Sequence, residues 1–143
     1  MLDWLVEVTT TFKCSEKTYY LAVALFDNFL FAFPAQLQNN DVHGIGITAL
    51  YISSKCEDTH SLSSEVISER ISHGAYTPAQ IKAREMIMLR TLEFSVDLVT
   101  FYDLHFNLMR YSHLKSKISN LIFTKISELS TMILLMSMQY PKF

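Results

Sequence analysis

Residues 42–58 read VHGIGITALYISSKCED, and the reading of this stretch decides the fold. Wound as a helix over 42–56, it sends Ile45, Ile47, Leu50 and Ile52 in several directions, so apolar groups surround the axis. A helix that is apolar on every side is a buried helix. Gly46, Ala49 and Ser53 recur at three- and four-residue spacing and lay a strip of small side chains along it. Glycine inside a helix costs roughly 1 kcal/mol against alanine, so the strip implies neighbours packed close to the backbone. The stretch is expected to be the central rod of an all-α bundle, with the other helices wrapped around it. Its end is the odd part. Lys55 suits the carboxyl end of a helix, whereas Glu57 and Asp58 oppose the partial negative charge there.

Composition points the same way. The 143-residue chain is half apolar and 18% charged, a globular rather than disordered balance. Three glycines and three prolines supply too little turn chemistry for a many-stranded sheet. The net charge of −2, with both signs interspersed, leaves no electrostatic footprint for nucleic acid or an anionic membrane. Cys14 and Cys56 lie far apart without a CxxC or His-x-His companion, which predicts reduced thiols rather than a zinc site or a disulfide. The first residues, MLDWLVEV, carry an acid where a secretory signal carries basic residues. The longest apolar run, Met132 to Met136, is too short to span a bilayer. A soluble intracellular protein is expected.

Helix signals surround the rod. A first helix runs from Met1 to about Lys13 with Leu5, Val8 and Phe12 on one stripe. Ser15 caps a second, which carries Tyr19, Val23, Phe26 and Leu30 and stops before Pro34. AQLQNND reads as a polar loop, with Asn40 or Asp41 capping the rod. A fourth helix is expected over Leu62 to Ser72, capped by Ser61 or Ser63, with Gly74 at its exit. Thr77-Pro78-Ala79-Gln80 is a capping box with proline at the first helical position, and opens a fifth helix to about Leu92. FSVDLV makes an extended connector. Thr100 with Asp103 caps a sixth helix through Phe101, Leu104 and Leu108. A seventh runs from Leu114 to about Met138, with Ile118, Ile122, Leu129, Ile133 and Met136 on its inner face, and ends at Pro141. The methionine-rich runs MIM (86–88) and MILLM (132–136) read as core.

One acid breaks the pattern. The apolar stripe of the fifth helix is Ile81, Met88, Leu89 and Leu92, and Glu85 falls on the same line. A carboxylate on a core-facing line has to find a cation or face something other than core. Lys55 is the nearest cation by architecture. Either the two form an ion pair tying two helices together, a common and weak device, or they sit on a rim that docks a partner. On the second reading both groups emerge side by side, unsatisfied, beside an apolar surface. The five histidines share no metal-ligand spacing, no Gly-rich phosphate loop occurs, and no Ser-His-Asp or Cys-His pair follows from spacing. No catalytic residue, metal or cofactor is expected, and the chain reads as non-enzymatic.

In order, the segments MLDWLVEV, TYYLAVALFDNFL, GITALYISSKCED and YTPAQIKAREMIMLRTLEF resemble the cyclin box over residues 1 to about 98. The LDWLVEV start and the SKCED stretch are similar to the A/B-type mitotic cyclins. The resemblance implies a five-helix cyclin-like bundle around a central helix as an N-terminal cyclin box at 1–98. Two further helices, at 99–143, would be an incomplete C-terminal cyclin repeat. It implies a regulatory subunit of a cyclin-dependent serine/threonine kinase that controls cell-cycle progression in the nucleus and cytoplasm. Such a subunit holds the kinase's αC helix and activation segment in their active placement. The kinase-binding positions implied are Ile52, Lys55, Cys56, Glu57, Glu85, Met86, Leu89 and Phe94, with Lys55 and Glu85 reaching backbone groups of the kinase.

Met1, Trp4, Glu7, Val42 and His43 match a groove that docks RxL-type substrates or inhibitors. His43 stands where glutamine is usual, and the MR-x-x-L motif that precedes the groove is represented by Met1 alone, so a partial groove is expected. Asp27-Asn28 replaces the family's Asp-Arg pair, and the shortened second repeat is expected to expose an apolar face on the seventh helix. Two other readings stay open. One is a degenerate cyclin-fold adaptor that activates no kinase. The other is a cyclin-fold nucleic-acid binder of the transcription-factor type, against which the charge balance stands.

Overall fold

The computed structural model describes residues 1–32, 39–116 and 120–139. Its elements are helical throughout the described residues: α1 (Leu2–Thr11), α2 (Glu16–Ala32), α3 (Asn39–Glu57), α4 (Ser64–Val66), α5 (Pro78–Thr91), α6 (Phe101–Ser116) and α7 (Asn120–Gln139). α4 continues without a break into a π-helical turn, Ile67–Ile71. The chain divides into two units, Met1–Leu98 and Val99–Phe143, described here one at a time.

α3 is the rod of the first unit. Every residue from Gly44 to Ser54 is buried, and Ile45, Ala49 and Ile52 pack with Leu21, Leu25, Phe26 and Phe29 of α2 and Met88 of α5. The small residues have identifiable neighbours. A Cβ on Gly46 would lie 2.6 Å from the Met1 sulfur, and one on Gly44 would lie 2.7 Å from the Arg84 guanidinium of α5. Arg84 in turn lies over the Tyr76 ring at 4.8 Å. The hydroxyls of buried Thr48 and Ser53 donate to the carbonyls one turn back, on Gly44 and Ala49, so neither buried hydroxyl is stranded. α3 begins at Asn39, ahead of the Asn40 or Asp41 expected as its cap, because the helical turn extends back through these residues.

Two expected boundaries are corrected by the structure: the seventh helix starts at Asn120 rather than Leu114, which belongs to α6, and the fourth starts later than read. The fourth helix starts at Ser64 rather than Leu62, with Ser63 as its cap; the Ser63 hydroxyl accepts from the Val66 N–H at 3.2 Å. Leu62 is already pinned in the preceding loop, where its N–H donates to the buried Ser54 hydroxyl at 2.8 Å. The π turn then lets Ile67, Ser68, Ile71 and Ser72 all be buried, with the Ser72 N–H donating to the Ile67 carbonyl at 2.8 Å. The expected stop at Pro34 and the loop at 35–38 lie outside the described residues.

α5 opens as read. The Gln80 N–H donates to the Thr77 hydroxyl at 3.3 Å and the Thr77 N–H donates to the Gln80 amide oxygen at 2.9 Å, with Pro78 in the first turn. In the second unit Thr100 and Asp103 form the equivalent pair on α6.

The seventh helix meets one expectation and departs from another: it exposes an apolar face, as the likeness to a partial second repeat implied, and does not turn that row inward. Leu129 and Ile133, expected on an inner face, are exposed, as are Met132 of the MILLM run and Ile87 of the MIM run. The reason is visible within the second unit: α7 meets α6 through its small polar side, where the Ser130 hydroxyl shares a 3.0 Å hydrogen bond with the His105 Nε2. The positions Ile118 and Pro141, and the side chains of Ile122 and Met136, lie outside what is described.

α1 closes in a left-handed cap without glycine. Lys13 takes φ 55°, and the Cys14 N–H returns to the Thr9 carbonyl at 2.9 Å. A residue with a Cβ is strained there, at a cost of roughly 1–2 kcal/mol. Lys13 is exposed, so Lys13→Gly is expected to raise stability by about 0.5–1 kcal/mol, measured as a higher urea midpoint at unchanged m-value.

Candidate functional site

The carboxyl end of α3 and the middle of α5 meet at the molecular surface. Lys55 Nζ donates to Glu85 Oε1 at 2.6 Å, with the lysine side chain 44% exposed and the glutamate 14%. The same ammonium lies 4.8 Å from the centre of the Tyr51 ring. The hydrogen bond that Lys55 donates to Glu85 raises the Lys55 pKa above its ordinary value, against a smaller lowering by burial. The two groups therefore emerge side by side but paired to each other, which corrects the expectation that they stand unsatisfied. Two opposite charges at adjacent helix surfaces have no reason to stay apart. Spare capacity remains, because an ammonium has three donors and a carboxylate has a second oxygen.

Around this pair the surface is apolar. Leu89, half-buried, stands one turn beyond Glu85 on α5, and Met86 beside it is exposed. Past the helix end the Phe94 N–H donates to the Leu89 carbonyl at 2.7 Å. Glu93 and Phe94 are both left-handed, with φ 52° and 58°. An aromatic residue is a rare occupant of that conformation, and here it accompanies a Phe94 ring that is 60% exposed. Backbone strain of this kind concentrates at functional sites. Cys56 and Glu57 are exposed beside Lys55; burial, and then the charge of Glu57, pushes the Cys56 thiol pKa up. Both cysteines are free. Ile52 is different. At 3% exposure it belongs to the core cluster, so it supports this face from beneath.

The second acid after the rod does something else. Asp58 Oδ1 accepts from the Ser15 N–H and from the Thr18 hydroxyl, each at 2.7 Å. The Ser15 hydroxyl accepts from the Thr18 N–H at 3.2 Å and bonds the Thr18 hydroxyl at 2.9 Å. Thr18 is completely buried. Asp58 thus sits at the wrong end of α3 and the right end of α2, whose amino terminus favours a negative charge. Sequence reasoning missed this role; the Ser15-x-x-Thr18 spacing at the start of α2 was its only trace.

A third cluster joins α1 to the start of α3. The Trp4 and His43 rings meet edge to face at 4.7 Å, Met1 and Val42 are half-buried against the core cluster, and Glu7 is exposed. Burial chiefly lowers the His43 pKa from 6.5. Above pH 6.5 the ring is neutral both folded and unfolded, and stability is at its full value. As pH falls through the folded pKa, the unfolded chain is already protonated, so stability declines. Trp4 is the sole tryptophan, so its emission is expected to be quenched on acidification with a midpoint below pH 6.5, a transition that His43→Gln removes.

An all-α domain wound round one buried helix, presenting a polar pair in an exposed apolar surface, has the make-up of a protein-docking module. The chain belongs to the cyclin family: the family model "Cyclin, N-terminal domain" matches residues 1–97. The G2/mitotic-specific cyclin-B2 of Rana japonica is 36% identical over 107 residues, covering 74% of this chain and 26% of that protein. The G2/mitotic-specific cyclin-B1 of Carassius auratus is 36% identical over 96 residues, 66% of this chain and 23% of that protein. A putative cyclin-B3-1 of Arabidopsis thaliana is 33% identical over 124 residues, 86% and 30% respectively. The chain thus spans less than a third of the length of these relatives. Among its described residues no helix is long and apolar enough to cross a membrane, and no group of three metal-ligating side chains converges.

Proposed function

We propose that this chain is a regulatory subunit that docks a cyclin-dependent serine/threonine kinase through the face around Lys55 and Glu85 and so governs a step of the cell cycle. The observation that carries the reading is the pairing of those two side chains across α3 and α5, with spare donors and an acceptor, inside a rim of Met86, Leu89 and Phe94. Apolar surface of this kind, rimmed by polar groups, marks protein interaction sites. The pair's remaining hydrogen-bonding capacity suits backbone carbonyl and amide groups of a partner loop, while Cys56 and Glu57 extend the polar edge. The similarity to proteins named as mitotic cyclins supports the kinase class. By the same likeness, Met1, Trp4, Glu7, Val42 and His43 form part of a groove for RxL-type segments, and the protein works in nucleus and cytoplasm.

The test mixes the full chain with purified cyclin-dependent kinases. Complex formation is followed by sedimentation, and phosphorylation of a histone-type substrate by radiolabel incorporation. A complex with raised phosphorylation is the expected result. A complex without it identifies an adaptor that does not activate, and the absence of any complex overturns the reading.

A further inference from the structure

Beneath the docking face lies a side chain that is out of a partner's reach and yet meets the ammonium at the centre of that face. Tyr51 stands one turn before Lys55 on α3 and is only 6% exposed. Its ring centre lies 4.8 Å from Lys55 Nζ, inside the range of about 6 Å over which a ring attracts a cation. Helix geometry brings the two together. Side chains lean toward the amino end of their helix, so Lys55 covers the turn that carries Tyr51.

A lysine is hard to hold in one place. Its ammonium rides on a flexible four-carbon stem, and fixing that stem costs conformational entropy. Glu85 supplies one fixed point, from the neighbouring helix, through the 2.6 Å hydrogen bond. The Tyr51 ring supplies a second from below. It attracts the cation through its negative face rather than through an oxygen acceptor, so it does not compete with a partner's carbonyls for the three N–H groups. This attraction grows as water leaves. The Lys55 side chain is 44% exposed in the free chain and loses that water beneath a docked partner. Tyr51 therefore contributes more to the complex than to the free chain, and a preorganised group leaves less ordering to be done on binding.

We propose that Tyr51 is a positioning residue of the docking face, its ring holding the Lys55 ammonium where the amine meets backbone carbonyls of the kinase. The inference rests on the docking reading given above and deepens it. Tyr51 acts through Lys55 alone, so its effect on binding depends on the lysine being present.

The test is a double-substitution cycle in the full chain, with affinity for the kinase read by calorimetry. Tyr51→Leu should weaken binding about tenfold, whereas Tyr51→Phe, which keeps the ring, should stay within about threefold of wild type. In a chain that already carries Lys55→Ala, adding Tyr51→Leu should cost less than about twofold more. A ring that only fills the core would lower affinity by the same factor in both backgrounds. A ring-fluorinated phenylalanine in place of Tyr51 keeps the shape but drains the negative face. It should bind as weakly as Tyr51→Leu, and it serves equally if the leucine variant does not fold. In the free chain, ring current should move the Lys55 ε-methylene protons upfield in the NMR spectrum, and Tyr51→Leu should abolish that shift. Equal losses in both backgrounds overturn the role of Tyr51. So does a fluorinated ring that binds like wild type, or an ε-methylene resonance that Tyr51→Leu leaves in place. In each of these cases a weakened Lys55→Ala complex keeps the docking reading standing. A Lys55→Ala chain that binds like wild type overturns the docking reading, and the role of Tyr51 with it.

Discussion

Replacing Lys55 by alanine should weaken the complex with the kinase by about 2–5 kcal/mol, a loss of roughly thirty-fold to several-thousand-fold, while hardly touching the stability of the free chain. The two effects separate because the environments differ. In the free chain the Lys55–Glu85 pair is partly exposed, and such pairs contribute only about 0–1 kcal/mol. Under a docked partner the same groups lose water, so removing one leaves the other charged, buried and unpaired. Glu85→Ala should behave alike. Because the two side chains touch, the double variant should lose less than the two single losses combined, which is the mark of residues acting as a unit. Binding measured by calorimetry alongside urea unfolding reads both quantities. Single variants that bind within a factor of about three of wild type would remove Lys55 and Glu85 from the interface. Variants that unfold the free chain would assign the pair to scaffolding.

What could be read without coordinates follows the physics of each signal. The rod was legible because its apolar groups surround the axis and its small residues sit at helical spacing, both one-dimensional patterns. The start of α5 was legible because a capping box is a local chemical sentence in four residues. Lys55 and Glu85 could be singled out because a carboxylate on an apolar stripe contradicts its own surroundings. That the two groups pair with each other was one of the two readings left open by the stripe, and the structure bears it out; the choice depends on how α3 crosses α5, which no spacing encodes. The π turn at Ile67–Ile71 stayed hidden because it preserves an ordinary apolar pattern while adding a residue to the turn. The left-handed positions at Lys13, Glu93 and Phe94 were equally silent, since glycine is the signal for that conformation and none stands there. α7 was misjudged for a related reason. Its apolar row was assigned inward by default, whereas its serine side is the one that meets α6.

The acid that follows the rod leads to the other large effect. Asp58→Ala should destabilise the first unit by about 2–4 kcal/mol, since it removes two charge-assisted hydrogen bonds at the amino end of α2, each contributing about 1.5–3 kcal/mol. It leaves the Ser15 N–H without its acceptor and the wholly buried Thr18 hydroxyl dependent on Ser15 alone. Asp58→Asn keeps an acceptor at the same place and should cost about half as much, because only the charge is lost. A second readout reports on the same carboxylate. Burial, then the charge of Asp58 and a hydrogen bond to it, push the Cys14 thiol from 9.0 up to about 12. Below pH 9 the thiol is protonated in both states and that part of stability is fully present. As pH rises from 9 through about 12, the unfolded chain releases the proton first and stability falls. Asp58→Ala removes both lesser causes and Asp58→Asn removes the charge; burial is left in each, so the folded thiol should titrate lower yet stay above 9. Iodoacetamide labelling of Cys14 under native conditions, quantified by peptide mass spectrometry across alkaline pH, should then shift its midpoint downward in the variants. A fall in stability with an unmoved Cys14 profile would detach the thiol from Asp58. An unchanged urea midpoint would mean that the carboxylate does not hold α2 to the end of the rod.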